Sequence, residues 1–315
     1  MLWVNFIQGI IFLFLTGPGI WGNTLIFIRY FYIIVFIPEK KPISFIIIHL
    51  AFSNAAIICT TGIRDLAPVF YFRNFLGSTA CKTVVYLGRV ARGLSICTTC
   101  LLSVVQAITI GPRTTLWGKL RPRTPWQVLP YFFLFWVSSL LVSSNLLWTI
   151  TAVSSMNRSE VAMYAGGCYL LPSRHMVQWL FLALMALRDV LFQGLMGWSS
   201  GLIALRLYEH HKRVLYLRSS RLANGSSPEI RAMLSTLILM ACFLFFFWTD
   251  FMFSFYIGST VTNESTLLYI KIFLELGYSI LSPFVLMHRD VRVSKQRQIQ
   301  GGICGTTFYT NSSIN

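Results

Sequence analysis

Seven ionisable side chains stand inside stretches that are otherwise apolar: Arg89, Arg92, Arg188, Asp189, Asp250, Lys271 and Glu275. A charge in hydrocarbon surroundings is costly, so each marks a candidate functional group. On a helix, Arg89 and Arg92 share a face, and Lys271 and Glu275 are placed to pair. Four cations against three carboxylates leave one positive charge over. An Arg fork presents parallel N–H donors that match a carboxylate or sulfate. The set therefore suits an uncharged or anionic small molecule, with Arg89 or Arg92 at its polar end. The competing reading is that these charges pair helix to helix, Arg92 with Asp250 for example, and fix geometry only. Cys97-Thr98-Thr99-Cys100 has redox or zinc spacing. A zinc site needs two further ligands, however, and in an apolar helix these cysteines read as packing residues. No hydrolase triad or nucleotide-binding loop is present, so no enzymatic activity, cofactor or metal is expected.

The elements that must hold these residues follow from composition. Of 315 residues, 55% are hydrophobic and only 11% charged, where a soluble domain carries about 25% charged residues. The expected fold class is an all-α membrane protein. Charge-free runs at 1–28, 42–63, 93–112, 124–157 and 232–249 mark spans, and two more apolar stretches carry the charges above. Seven transmembrane helices are predicted near 7–33, 43–63, 82–108, 128–153, 177–205, 231–257 and 267–287, in one domain with a short tail at 288–315. The first run lacks the basic n-region of a cleaved signal and reads as a retained helix. Gly194, Gly197 and Gly201 have the spacing of tight contact with a neighbouring helix.

Orientation follows from the cations. With the N-terminus outside, the cytoplasmic pieces hold 17 Lys and Arg and the external pieces 5, a strong positive-inside bias. The net charge of +16 thus reads as membrane topology and lipid contact rather than nucleic-acid binding. The seven interior charges then lie roughly 6–17 Å below the outer boundary, at 1.5 Å per helical residue. Such a set describes a polar cavity open to the outside. Only Cys81 and Cys168 face the external side, where disulfides persist, and a bridge between them is predicted. It would stabilise by about 4–5 kcal/mol in the loop-entropy account. The sequons at Asn157 and Asn263 fall outside as glycosylation sites; Asn224 and Asn311 match equally well but fall inside. On the cytoplasmic side Arg206–Arg221 is basic, consistent with the fifth helix running on into the cytosol. Lys212, Arg213, Arg218 and Arg221 would face lipid headgroups or a protein partner. Ser226 or Ser227, with Pro228 and Glu229, is placed to start the sixth helix.

Seven helices, an outer N-terminus and a bridge from the third helix to the second outer loop match the plan of G-protein-coupled receptors. Within them the chain resembles the vomeronasal type-1 receptors. The resemblance is carried by Cys81-Lys82, Tyr86-Leu87 and the unbroken run Arg89 to Ile110. His49-Leu50-Ala51, Arg213-Val214-Leu215-Tyr216-Leu217, Ser226-Ser227-Pro228-Glu229 and Leu281 to Met287 support it. The third helix ends in Gln106-Ala107-Ile108 where rhodopsin-type receptors have an acidic residue, Arg and Tyr; the sixth lacks its usual proline; and the seventh has Ser282-Pro283 in place of Asn-Pro. Gly22-Asn23 survives in the first helix. The resemblance implies a pheromone receptor in the plasma membrane of sensory neurons, a small-molecule ligand with sulfated steroids among its classes, and a heterotrimeric G protein of the inhibitory class. A bitter taste receptor is the nearest alternative. A small-solute transporter is the alternative from another class, disfavoured by the odd helix count and the lack of internal duplication.

Overall fold

The computed structural model describes residues 2–37, 41–66, 77–110, 121–122, 124–152, 162–165, 168–170, 175–218, 228–259 and 270–288. The helices are α1 (Leu2–Phe36), α2 (Pro42–Leu66), α3 (Ser78–Ile110), α4 (Leu129–Thr149, with a turn at 144–145 between Leu129–Ser143 and Leu146–Thr149), α5 (His175–Arg218), α6 (Pro228–Ser259) and α7 (Ile270–His288). Six of them are long and apolar enough to cross a membrane; in α6 the apolar stretch spans Leu237–Asp250. The seven predicted spans are all present as helices. Backbone amides have no water to bond with in hydrocarbon, so closed i→i−4 ladders are the local solution. Pro228 opens α6, where its missing N–H costs nothing.

The bundle is built around α3, which touches α2, α4, α5 and α6. Ile46, Ile47, Leu50, Leu94, Ile96, Leu102, Met196, Phe243 and Tyr278 form the main core, each fully buried. Polar side chains cross that core in pairs. Ser95 donates to Asn54 Oδ1 at 2.8 Å, and Asn54 Nδ2 donates to Ser282 at 2.8 Å. Asn23 Nδ2 bonds the carbonyl of Ser279 at 2.9 Å, fastening α1 to α7. There the two helices come close: a Cβ on Gly22 would stand 3.0 Å from the Pro283 ring. His49 lies between Thr98 (Nδ1, 2.8 Å) and Trp136, whose Nε1–H donates to Nε2 at 3.1 Å. The indole only donates, so Nε2 accepts and Nδ1 carries the hydrogen.

Two expectations are corrected. The apolar run predicts a fourth helix reaching 153, but the helix ends at Thr149 and the chain turns into a strand, Ile150–Ala152 (β1). Ala162–Ala165 (β2) and Cys168–Leu170 (β3) complete a three-stranded antiparallel sheet in the order β1-β3-β2. Ile150 and Thr151 are β-branched, favouring a pleated strand over another helical turn, and pair with Leu170 and Tyr169. The second correction concerns Gly194, Gly197 and Gly201. A Cβ at any of them would meet nothing within 4 Å, so the tight helix contact read from their spacing is not made among the described residues. They lie on α5, the helix least covered by the rest of the bundle.

Candidate ligand-binding site

Cys81, in the first turn of α3, is disulfide-bonded to Cys168 at the start of β3, with Cα atoms 5.8 Å apart. Both are fully buried, packed with Val85, Leu146 and Ile150. The bridge thus ties the sheet between α4 and α5 to the end of α3 and defines the disulfide end of the bundle. Asn157 and Asn263, the expected glycan sites, lie outside the described residues.

All seven ionisable residues lie in the half of the bundle nearest this end, and three ion pairs organise them. Arg92 of α3 meets Asp250 of α6 at 2.7 Å, a helix-to-helix pairing. Arg188 and Asp189 pair within α5, with Nε donating to Oδ1 at 2.9 Å and Nη2 lying 2.8 Å from the same oxygen. Glu275 of α7 pairs with Arg64 of α2 at 3.4 Å. The Lys271–Glu275 pair expected within α7 is therefore not the bond that forms. Lys271 lies half-buried a turn away, while the Arg64 guanidinium reaches Glu275 across the bundle. Arg89 donates through Nη1 to Met185 Sδ at 2.8 Å, linking α3 to α5.

Arg64 is the site residue that sequence reasoning missed. It closes an apolar run and so reads as the first loop residue, yet the helix continues through it to Leu66. A basic residue in the last turn of a helix suits the macrodipole there, and that signal would have kept it in α2.

Below the ion pairs lies an aromatic column. The Arg92 guanidinium sits 4.7 Å from the Phe247 ring centroid. Phe247 stacks on Phe243 at 4.1 Å, and Phe243 meets the Tyr278 ring edge-on at 4.7 Å. The Tyr278 hydroxyl in turn bonds Thr99 at 2.9 Å. Asp250, Phe247 and Phe243 recur at helical spacing on α6, so one face delivers both the carboxylate and the rings. The cross-bundle pairs keep a little exposure despite their interior placement: 24% and 7% for Arg92 and Asp250, 11% and 20% for Arg64 and Glu275. The two cross-bundle pairs thus retain a small accessible surface. Cys97 and Cys100 are buried free thiols, and no metal-holding cluster occurs among the described residues.

A family profile described as the vomeronasal organ pheromone receptor family matches residues 6–299. The chain belongs to that family. Its relatives include olfactory receptor class A-like protein 1 of Danio rerio, 30% identical over 303 residues that cover 96% of this chain and 93% of that protein. Vomeronasal type-1 receptor 4 of Homo sapiens is 31% identical, covering 88% and 92%. In fold the chain is similar to squid rhodopsin in its crystal structure, with a TM-score of 0.67 at 15% identity, covering 90% of this chain and 81% of that one. Family and fold are those of a multi-pass membrane receptor. In this vomeronasal type-1 family member α5 runs unbroken to Arg218, with Lys212 exposed on it. Arg213 and Arg218 belong to the same helical stretch, and Arg221, Ser226 and Ser227 lie outside the described residues.

Proposed function

We propose that this vomeronasal type-1 family member binds a small-molecule chemosignal among the ion pairs at the disulfide end and activates a heterotrimeric G protein at the opposite end. What supports the reading is the partly accessible Arg92–Asp250 pair, which joins α3 to α6 above the Phe247–Phe243–Tyr278 column. A ligand that competes for Arg92 changes the relative free energies of two α3–α6 arrangements, and so shifts their populations. The two ends are then linked by a coupling free energy of about 1–3 kcal/mol. The excess of basic residues in the segments opposite the disulfide end supports an external N-terminus, a plasma-membrane location and a cytosolic C-terminus. The surplus of cations over carboxylates supports ligands that are neutral or anionic, steroid-like or sulfated molecules among them. Lys212, Arg213, Arg218 and Arg221 then serve the G protein, of the inhibitory class, or anionic lipid headgroups.

The test is a transfected-cell assay with urinary steroids and volatile odorants. The expected result is a ligand-evoked signal that disappears when the G protein is uncoupled; uptake of a compound without any such signal would favour transport and overturn the reading. Within that assay, Arg92→Ala should change selectivity between matched sulfated and unsulfated steroids.

A further inference from the structure

Three side-chain atoms at or near the ion pairs have no hydrogen-bond partner among the described residues although they are sealed from solvent: Asp250 Oδ1 and, together at another corner, the two orphans Arg188 Nη1 and Ser139 Oγ. Arg188 is 8% exposed and Ser139 0%. Buried polar groups in native folds are nearly always bonded, and an orphan is a free-energy penalty that calls for a reason. Asp189 engages Nε and Nη2 of the guanidinium, so its charge is compensated and Nη1 remains as a pair of idle N–H donors. The two orphans flank a single point. A Cβ placed on Gly93 would sit 2.5 Å from Arg188 Nη1 and 2.8 Å from Ser139 Oγ. Those separations exclude a carbon atom, so any side chain at 93 would push the two groups away, and only glycine lets them pack directly against α3.

The neighbouring turns enclose this corner. One turn toward the opposite end of the bundle, Phe135 of α4 and Phe192 of α5 meet edge to face at 5.7 Å and form an aromatic floor. One turn toward the disulfide end, Arg89 is held by the Met185 thioether. That roof consists of two flexible side chains joined by a weak acceptor, and Met in particular repacks readily.

We infer that Gly93, Ser139 and Arg188 form a subsite for one hydrogen-bond-accepting oxygen, a ketone or carboxylate oxygen, carried by an otherwise apolar ligand. The inference rests on the receptor reading above and names the group that fixes the ligand's orientation. The oxygen would accept from Arg188 Nη1 and from the Ser139 hydroxyl, with the Phe135–Phe192 floor against the ligand's apolar body. Because Asp189 already balances Arg188, the oxygen need not carry charge. Arg92, bonded to Asp250 and lying against Phe247, has less to offer it.

The experiment uses full-length receptor, purified and reconstituted with its G protein. It is challenged with matched pairs on three scaffolds (a steroid, a macrocycle and an aliphatic chain), each as a ketone and as its methylene analogue. Thermal stabilisation reads binding, and nucleotide exchange on the G protein reads activation. The wild type should bind at least one ketone about tenfold or more tightly than its methylene partner. Ser139→Ala should abolish that preference while leaving the unliganded unfolding temperature unchanged or raised, since it deletes an unbonded hydroxyl. Arg188→Lys, which keeps the charge but loses the fork, should also lose the preference, and Gly93→Ala should weaken both members of the pair. Equal affinity for every pair in the wild type, as expected if the corner holds only a buried water, would overturn the inference, as would a preference that survives Ser139→Ala and Arg188→Lys. Failure of the receptor reading would look different: tight, ketone-selective binding with no nucleotide exchange.

Discussion

α3 and α5 have nearly the same mean hydropathy, yet 72% of the apolar 18-residue stretch of α3 is buried within the bundle against 11% of the corresponding stretch of α5. In α3 many of the buried positions are small or polar, with Ser95, Cys97, Thr98, Thr99, Cys100 and Ser103 interleaved among Leu94, Ile96 and Leu102. In α5 the large apolar residues face outward, with Leu187, Leu191, Leu195, Trp198 and Leu205 all exposed. In water the distribution would be reversed. Lipid supplies no drive to hide Leu or Trp, so the interior goes to side chains that allow close approach and satisfy one another's hydrogen bonds. Hydropathy says that a helix crosses; the size and polarity of its residues say which face turns inward.

The contrast can be broken or sharpened by substitution. The largest effect is expected where α3 is covalently tied. Cys81→Ser should cost about 2–5 kcal/mol and remove most of the protein from the cell surface, scored by flow cytometry on an N-terminal tag. Next comes the α3–α6 ion pair. Asp250→Ala strands the mostly buried Arg92 and should cost about 3 kcal/mol in detergent. Pairing it with Arg92→Leu should restore part of the lost unfolding temperature. A glycine in the packed interior should be nearly as sensitive: Gly277→Ala would drive a Cβ into the Phe246 ring, and overpacking of this kind costs about 1–3 kcal/mol. Ser95→Ala, which frees Asn54 Oδ1 from its 2.8 Å bond, should cost only about 1 kcal/mol, as interhelical hydrogen bonds in membranes generally do. The smallest change belongs to α5. Gly197→Ala and Leu191→Val should stay within about 0.5 kcal/mol of wild type by thermal unfolding. If Gly197→Ala were as damaging as Gly277→Ala, the exposed face of α5 would be packed against something, and the contrast would collapse.

The number of helices, their order and the Cys81–Cys168 bridge were legible in the sequence, because a bilayer leaves few alternatives for a long apolar run and only two cysteines sat at the proper end. The cluster of interior charges was legible for the same reason, since ions stand out against hydrocarbon. Their partners were not. Helical spacing offered Lys271 to Glu275, but Arg64 reaches Glu275 from another helix, and a distance between helices leaves no periodic trace. The glycines of α5 misled in the opposite sense: their spacing fits close packing, but packing needs a neighbour, which the spacing does not supply. The short sheet was hidden because three-residue strands carry too little alternation to register, and Ala162–Ala165 lacks the β-branched signal that Ile150 and Thr151 provide.

The ion pairs described above divide the bundle along two separate seams. One, between α3 and α6, is closed by Arg92 and Asp250; the other, between α2 and α7, by Arg64 and Glu275. No residue is shared between the two clasps, yet Arg92 of one and Glu275 of the other attract each other through the interior. Opening the α3–α6 clasp would therefore also change the electrostatic load on the α2–α7 clasp.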